Sequence, residues 1–405
     1  MTSPATPPAA WLAEPPVLDD VTTVEGWNRY VTHRHEYQPP PLITRTEYEA
    51  LPEGHRALYD MARETALANQ PKHETPMTAA LRRSVVPTLR LNSSNANPGV
   101  RPGIFVSADA GLGKSTVMRE IAAAFDTRQR ARAQFFPSIA GNRDRWVPVA
   151  WVNVPSKVTI KGLCAEILGF YGEMPRTVRH VSETALTARV NELIVACGTR
   201  LLVLDDITRM KMHREADMDA ADFVRSLMET AATIIGIGVN VEASGLLYEG
   251  QASARNRHLL TQTRRRFSVE RLLPFTSEDS ETANAWLSHL RAIEENLPLL
   301  DKSPGMLTDG DTPAYLLRRT DGVIGSLSRL VTEASLLVLG NRPTGPGTGE
   351  YLSRSILSSV TLDHAAEHSD VREAPTPPEG RVPARRSGRS RNTVFNGNRP
   401  RRGVA

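Results

Sequence analysis

Hydrophobic positions change period several times along the chain, and each change predicts a different kind of structure. Up to residue 45 they are scattered among prolines without period, which predicts a disordered or extended N-terminal segment over 1–45. Over 46–92 they return at helical spacing, through Tyr48, Leu51, Leu58 and Met61 and then from Met77 to Leu91, predicting a helical N-terminal extension. Between 93 and 275 the pattern alternates. Short apolar runs at 103–106, 146–154, 201–204 and 233–239 read as buried strands, and 267–273 as a further short strand. Helical stretches separate them, at 117–125, 159–171, 183–197, about 219–230 and 254–266. Strands alternating with helices predict an α/β fold, a three-layer αβα core with a mostly parallel sheet. After Pro274 the periodic stretches are helical (277–297, 312–319, 325–340, 350–362), the size of a small helical lid over 276–365. The remainder, 366–405, is polar, proline-rich and basic, and predicts a disordered Arg-rich tail.

Composition narrows the class without naming it. No apolar run reaches the roughly 18 residues that a membrane span needs, and the first 18 residues lack a basic stretch followed by an apolar core. The expected location is therefore cytoplasmic, with no membrane partner. Cys164 and Cys197 fall in apolar helical segments and read as core residues rather than a disulfide or metal pair. Eight arginines and no acid lie in 381–405, so a chain of net charge +4 leaves −4 on everything before the tail. Arginine outnumbers lysine 43 to six, which suggests a GC-rich genome and weakens any inference from overall basicity to nucleic acid.

The chemistry concentrates where the first strand gives way to a helix. There the chain reads Ala108-Asp109-Ala110-Gly111-Leu112-Gly113-Lys114-Ser115-Thr116, the parts of a P-loop. Two glycines let backbone N–H groups converge on phosphate oxygens, and the helix N-terminus adds partial positive charge. Lys114 is placed for the β- and γ-phosphates of ATP and Ser115 for Mg²⁺. Ala108 stands where glycine is commoner, and is small enough for the turn. A second signal is the run Leu201-Leu202-Val203-Leu204-Asp205-Asp206, four aliphatics delivering two acids to the carboxyl edge of the sheet. Asp205 is the candidate Mg²⁺ ligand, and Asp206 the candidate base that orients the attacking water. Aspartate is a methylene shorter than the glutamate commoner at that place, which predicts slow hydrolysis suited to a switch.

Weaker candidates surround these. Asn240, past the fourth run, could hold the attacking water or γ-phosphate, or be a strand-end turn residue. Asn153 could pair with the catalytic acid when no partner is bound. Arg265 and Arg266, with Arg264, precede the last strand and could reach a neighbouring subunit's nucleotide, a geometry that requires a ring or helical filament. Arg329 could sense phosphate from the lid, although Gly325-Ser326-Leu327-Ser328-Arg329 is one residue longer than a glycine-x-x-arginine spacing. Lys157, Thr159 and Lys161, on a loop expected to face the axis of such an assembly, are candidate contacts to DNA phosphates, or a solvated helix start.

The order of these motifs resembles that of a AAA+ ATPase, a P-loop NTPase of the ASCE type. Within that superfamily the chain is similar to the TniB/TnsC transposition ATPases, relatives of the phage Mu B protein. The likeness rests on Pro155 in a short loop before Leu163-x3-Ile167-Leu168-Gly169, on Thr233-Ile234-Ile235-Gly236-Ile237-Gly238, and on Arg266-Phe267 followed by Leu272-Leu273-Pro274-Phe275. It covers about residues 100–340. It implies a bacterial, nucleoid-associated protein that hydrolyses ATP to ADP and phosphate and assembles as a homo-oligomer on double-stranded DNA. It also implies a partner, a DDE transposase, and a role in target selection or transposase activation. Alternatives are a signalling or defence ATPase triggered by a protein or small ligand, for which no repeat array is visible past residue 345, and a helicase loader. A metabolic P-loop kinase fits less well, since paired acids on a distal strand and a lid arginine favour hydrolysis.

Overall fold

Four apolar strands and a more polar edge strand lie side by side in one wholly parallel sheet in the computed structural model, which describes residues 18–97, 99–136, 146–156, 158–173, 181–209, 223–244 and 265–362. The strands are β1 (Gly103–Ser107), β2 (Val149–Asn153), β3 (Leu201–Asp205), β4 (Thr233–Gly238) and β5 (Phe267–Arg271), in the spatial order β2-β3-β4-β1-β5. Residues of β1, β3 and β4 are buried throughout, as continuous apolar runs in a sheet covered on both faces should be. Register places Asn153 beside Asp205 and Ser107 beside Gly238, so the ends of β1 to β4 share one edge. The predicted helical stretch at 254–266 lies mostly outside the described residues, as do Lys157, Arg264, residues 1–17 and the tail from 363.

Four helices precede the sheet: α1 (Val24–His33), α2 (Arg45–Ala50), α3 (Glu53–Ala68) and α4 (Pro76–Ser94). The first corrects the expectation of an extended segment over 1–45. Thr23 caps α1 by accepting from the Gly26 N–H at 3.1 Å, and the helix buries Val24, Trp27 and Val31 against the core. Trp27 is fully buried, stacks on Trp151 of β2 at 6.1 Å, and donates its Nε1–H to Asp126 at 3.1 Å. Prolines around α1 mask that anchor in the sequence.

The core is completed by α5 (Lys114–Phe135), α6 (Ile160–Phe170) and α7 (Glu183–Ala196), with a further helical stretch at 223–228. The lid comprises α8 (Ser280–Asn296), α9 (Thr312–Thr320), α10 (Ile324–Val338) and α11 (Arg354–Ser359), around a second apolar cluster that includes Trp286, Leu290, Leu327 and Leu330. The helical pattern at 350–362 contracts to the six residues of α11.

The N-terminal helices visit both clusters in turn. α1 packs on the core, whereas α3 delivers Leu67 and a fully buried Arg63 to the lid. Arg63 grips Glu350, itself fully buried, through Nη1 at 2.5 Å and Nη2 at 3.1 Å. Glu350 also accepts from the N–H groups of Leu300 and Gly340, so the carboxylate is saturated. α4 then returns to the core with Leu81, Val85 and Leu89.

Candidate functional site

β1 ends at Ser107, and the Ala108 N–H donates to the Gly238 carbonyl at 3.1 Å, tying the start of the glycine-rich loop to β4. Gly111 (φ +80°) and Gly113 (φ +75°) hold left-handed backbone, which carries the chain from strand to helix inside the loop. Gly113 is the N-cap of α5 and brings no side-chain oxygen, so the first-turn N–H groups of a 22-residue helix have no side-chain acceptor at the cap. That is the donor set an anion fits. Lys114 curls back over the loop, its Nζ 3.5 Å from the Asp109 carbonyl.

Across the sheet edge, the Ser115 hydroxyl donates to Asp205 Oδ1 at 2.9 Å, and the Asp206 N–H donates to the same oxygen at 3.1 Å. Burial pushes the Asp205 carboxyl above its ordinary value, the Ser115 hydrogen bond opposes this, and the charge on Asp206 adds to it. Arg119, one turn into α5, draws it back down and stands over the Trp151 ring at 5.8 Å. Sequence reasoning missed Arg119, because its bearing on Asp205 depends on which face of α5 meets the sheet. A hydroxyl and a buried carboxylate side by side, with a phosphate-sized donor cluster next to them, form an oxygen donor set suited to Mg²⁺. Among the described residues no cluster of three His, Cys, Asp or Glu forms a separate metal site.

Asp206 and Asn240, the two polar residues just past β3 and β4, are both left-handed, with φ +60° and +47°. Non-glycine residues rarely hold that backbone, and it clusters at functional sites. Their side chains differ in setting. Asp206 is ion-paired at 3.0 Å with Arg209, which lies on the short 3-10 turn Ile207–Arg209, and the pair is open to solvent. Asn240 is exposed, with no capping bond from its side chain. The turn that carries it is pinned from two sides. Ser107 donates to Glu242 Oε2 at 2.6 Å and accepts from the Val241 N–H at 3.2 Å, while Arg271 of β5 donates to Glu242 Oε1 at 2.5 Å.

Other candidates are placed as follows. Asn153 accepts from the indole of its own strand's Trp151 at 3.1 Å, so the expected pairing with the catalytic acid is not made. Arg265 and Arg266 precede β5 and lie at the amino edge of a parallel sheet, opposite the loop of their own chain. Five residues of strand, roughly 16 Å, separate those edges. Thr159 caps α6 by accepting from Gly162 N–H at 3.2 Å, and Lys161 sits in the first turn of that helix. Arg329 bonds Glu333 at 2.7 Å, one turn along α10 from Gly325. Gly325 itself is the closest link between lid and loop: its N–H donates to the Gly111 carbonyl at 2.8 Å. A cavity of about 400 Å³ lined by Leu67, Gln70, Gly325 and Arg329 opens beside that contact.

Residues 100–247 match the family model described as AAA domain. Among solved structures, the chain is similar to Cdc6p from Pyrobaculum aerophilum, with 12% identity and a TM-score of 0.45 over 68% of this chain and 65% of that one. It is likewise similar to the Aeropyrum pernix ORC1 protein in complex with DNA (15%, TM-score 0.45, 73% and 68%). A third is domain III of the Thermotoga maritima replication initiation protein DnaA (13%, TM-score 0.36, 67% and 87%). No curated protein matches the chain. The matched span takes in β1 to β4, the glycine-rich loop after β1 and the acid ending β3, and has the P-loop fold of an AAA domain; β5 lies beyond it.

Proposed function

We propose that this protein binds and hydrolyses ATP with Mg²⁺ and uses the nucleotide state to switch its assembly on duplex DNA, regulating a DDE transposase. The observation that carries the nucleotide part is the 2.9 Å hydrogen bond between Ser115 and Asp205, which brings the loop and the β3 acid together at the carboxyl edge of the sheet. In this reading the loop from Ala108 to Thr116 holds the phosphates, and Ser115 and Asp205 hold the metal. Mg²⁺ there would neutralise phosphate charge. Asp206 orients water once released from Arg209, and Asn240 is available to the γ-phosphate side. Arg265 and Arg266, facing away from their own loop, serve a neighbour's site, which makes a homo-oligomer part of the reading. The DNA and transposition part is supported by the sequence features shared with TniB/TnsC ATPases, and by the Pro155 to Lys161 connection leaving β2 at the edge that carries the loop.

Anisotropy of a labelled DNA duplex, titrated with protein alone, with ADP and with a non-hydrolysable ATP analogue, tests the switch. Tight binding with the analogue only, lost in Lys114→Ala and collapsing as salt rises, is the expected result. Binding that Lys114→Ala leaves unchanged would overturn the nucleotide switch. No duplex binding in any state would move the protein to the ligand-triggered class of ATPase.

A further inference from the structure

Helices α4 and α5 leave a groove between them, about 420 Å³ in volume. Its rim is arginine: Arg82, Arg83 and Arg90 from α4, and Arg128 from α5. Its lining is apolar, with Val86, Pro87 and Ala124 over the buried Ile121 and Phe125, and among the described residues no acidic one lines it. Arg82 reaches Glu74 at 3.3 Å, an exposed pair; Arg83, Arg90 and Arg128 make no ion pair among the described residues. Three arginines without an acidic partner, beside a fourth paired with Glu74, bias the groove toward positive charge.

Two further features lengthen the groove and give it direction. The α5 stripe through Ile121, Phe125 and Arg128 continues at helical spacing to Arg132 and Phe135, and Phe135 is 78% exposed. On the facing helix, Pro87 lies inside α4 and is exposed, adding an apolar ring to the groove wall. The site therefore offers an apolar trough and flanking cations.

We infer that this groove docks an acidic amphipathic helix of a partner protein, its apolar face seated on Val86, Pro87 and Ala124 and its carboxylates paired with Arg83, Arg90 and Arg128. Charge complementarity fixes the sign of the partner, and the apolar lining fixes its class. A phosphate backbone meets the arginines equally well but has nothing to bury against Val86 and Pro87, whereas a helix in a groove uses both. The surface lies outside the nucleotide loop and the arginines that precede β5.

The test is a selection with the full chain as bait. A displayed library of helix-biased 16-residue peptides is panned against the protein and counter-selected against Arg83→Glu/Arg128→Glu, whose melting curve serves as the folding control. Expected enrichment is for acidic sequences with apolar residues at i, i+3, i+4 and i+7. As free peptides they should bind the variant at least tenfold more weakly than the unchanged chain, and weaken as salt rises. Enrichment of basic or neutral sequences, or equal retention by the variant, overturns the proposal. A duplex oligonucleotide that loses affinity for the variant while selected peptides do not would reassign the groove to nucleic acid. An oligomer in light scattering that the variant disperses, with no peptide selected, would reassign it to a second copy of this chain.

Discussion

At the end of β3 a buried carboxylate takes two hydrogen bonds and still titrates high, because burial outweighs what Ser115 and the Asp206 N–H return to it. A carboxyl whose folded pKa lies above its unfolded value loses stability as pH rises through that window. Asp205→Asn keeps an acceptor oxygen and removes the charge. It should therefore raise the nucleotide-free Tm by roughly 2–4 °C at neutral pH; the gain should close as pH falls toward 4, and Mg²⁺-dependent nucleotide binding should be lost. A Tm gain that does not vary with pH would refute the charge argument. Next to it, Asp206 is held by Arg209. Arg209→Ala should speed ATP turnover several-fold and Asp206→Asn abolish it; equal loss in both variants would make Arg209 the working residue. The loop and Asp205 could be read from the sequence because their neighbours in space are neighbours in a motif. Arg209 could not, since its pairing needs the left-handed turn at Asp206, and nothing in the residue type of an aspartate announces φ +60°.

Whole helices show the same division. β1 to β4 were legible as apolar runs, and Thr75 with Thr78 and Asp279 with Thr282 cap α4 and α8 in the sequence pattern expected of helix starts. α1 was missed although Val24, Trp27 and Val31 stand at helical spacing, because prolines on both sides suggest extended chain and its largest side chain finds Trp151 only in three dimensions. α3 shows why an N-terminal extension is kept so close to the lid. Arg63→Ala would leave Glu350 buried with two backbone donors and only the more distant Arg45, at 3.9 Å, as a cation, and should cost about 3 kcal/mol of stability, read as a fall in Tm. Arg63→Met combined with Glu350→Gln should recover much of that loss. Additive losses in the double variant would mean the two residues act separately.

Across the molecule, the lid meets the glycine-rich loop backbone to backbone, at Gly325 and Gly111. A Cβ on Gly325 would stand 2.8 Å from the Gly111 carbonyl oxygen. Gly325→Ala should push α10 off the loop and weaken binding of a fluorescent ATP analogue several-fold, with the far-ultraviolet spectrum unchanged; unaltered affinity would show that the lid does not govern the loop. The other long-range tie has a consequence in time. Arg63 and Glu350 are 287 positions apart. At a synthesis rate of about 5–20 residues per second, Arg63 leaves the ribosome roughly 15–60 s before its partner exists. Throughout that interval α3 has no lid to close on, and the nascent sheet can mature around α1 and α4 alone. The lid is then the last part to lock, and the cation that locks it has been waiting in water since early in the chain's manufacture.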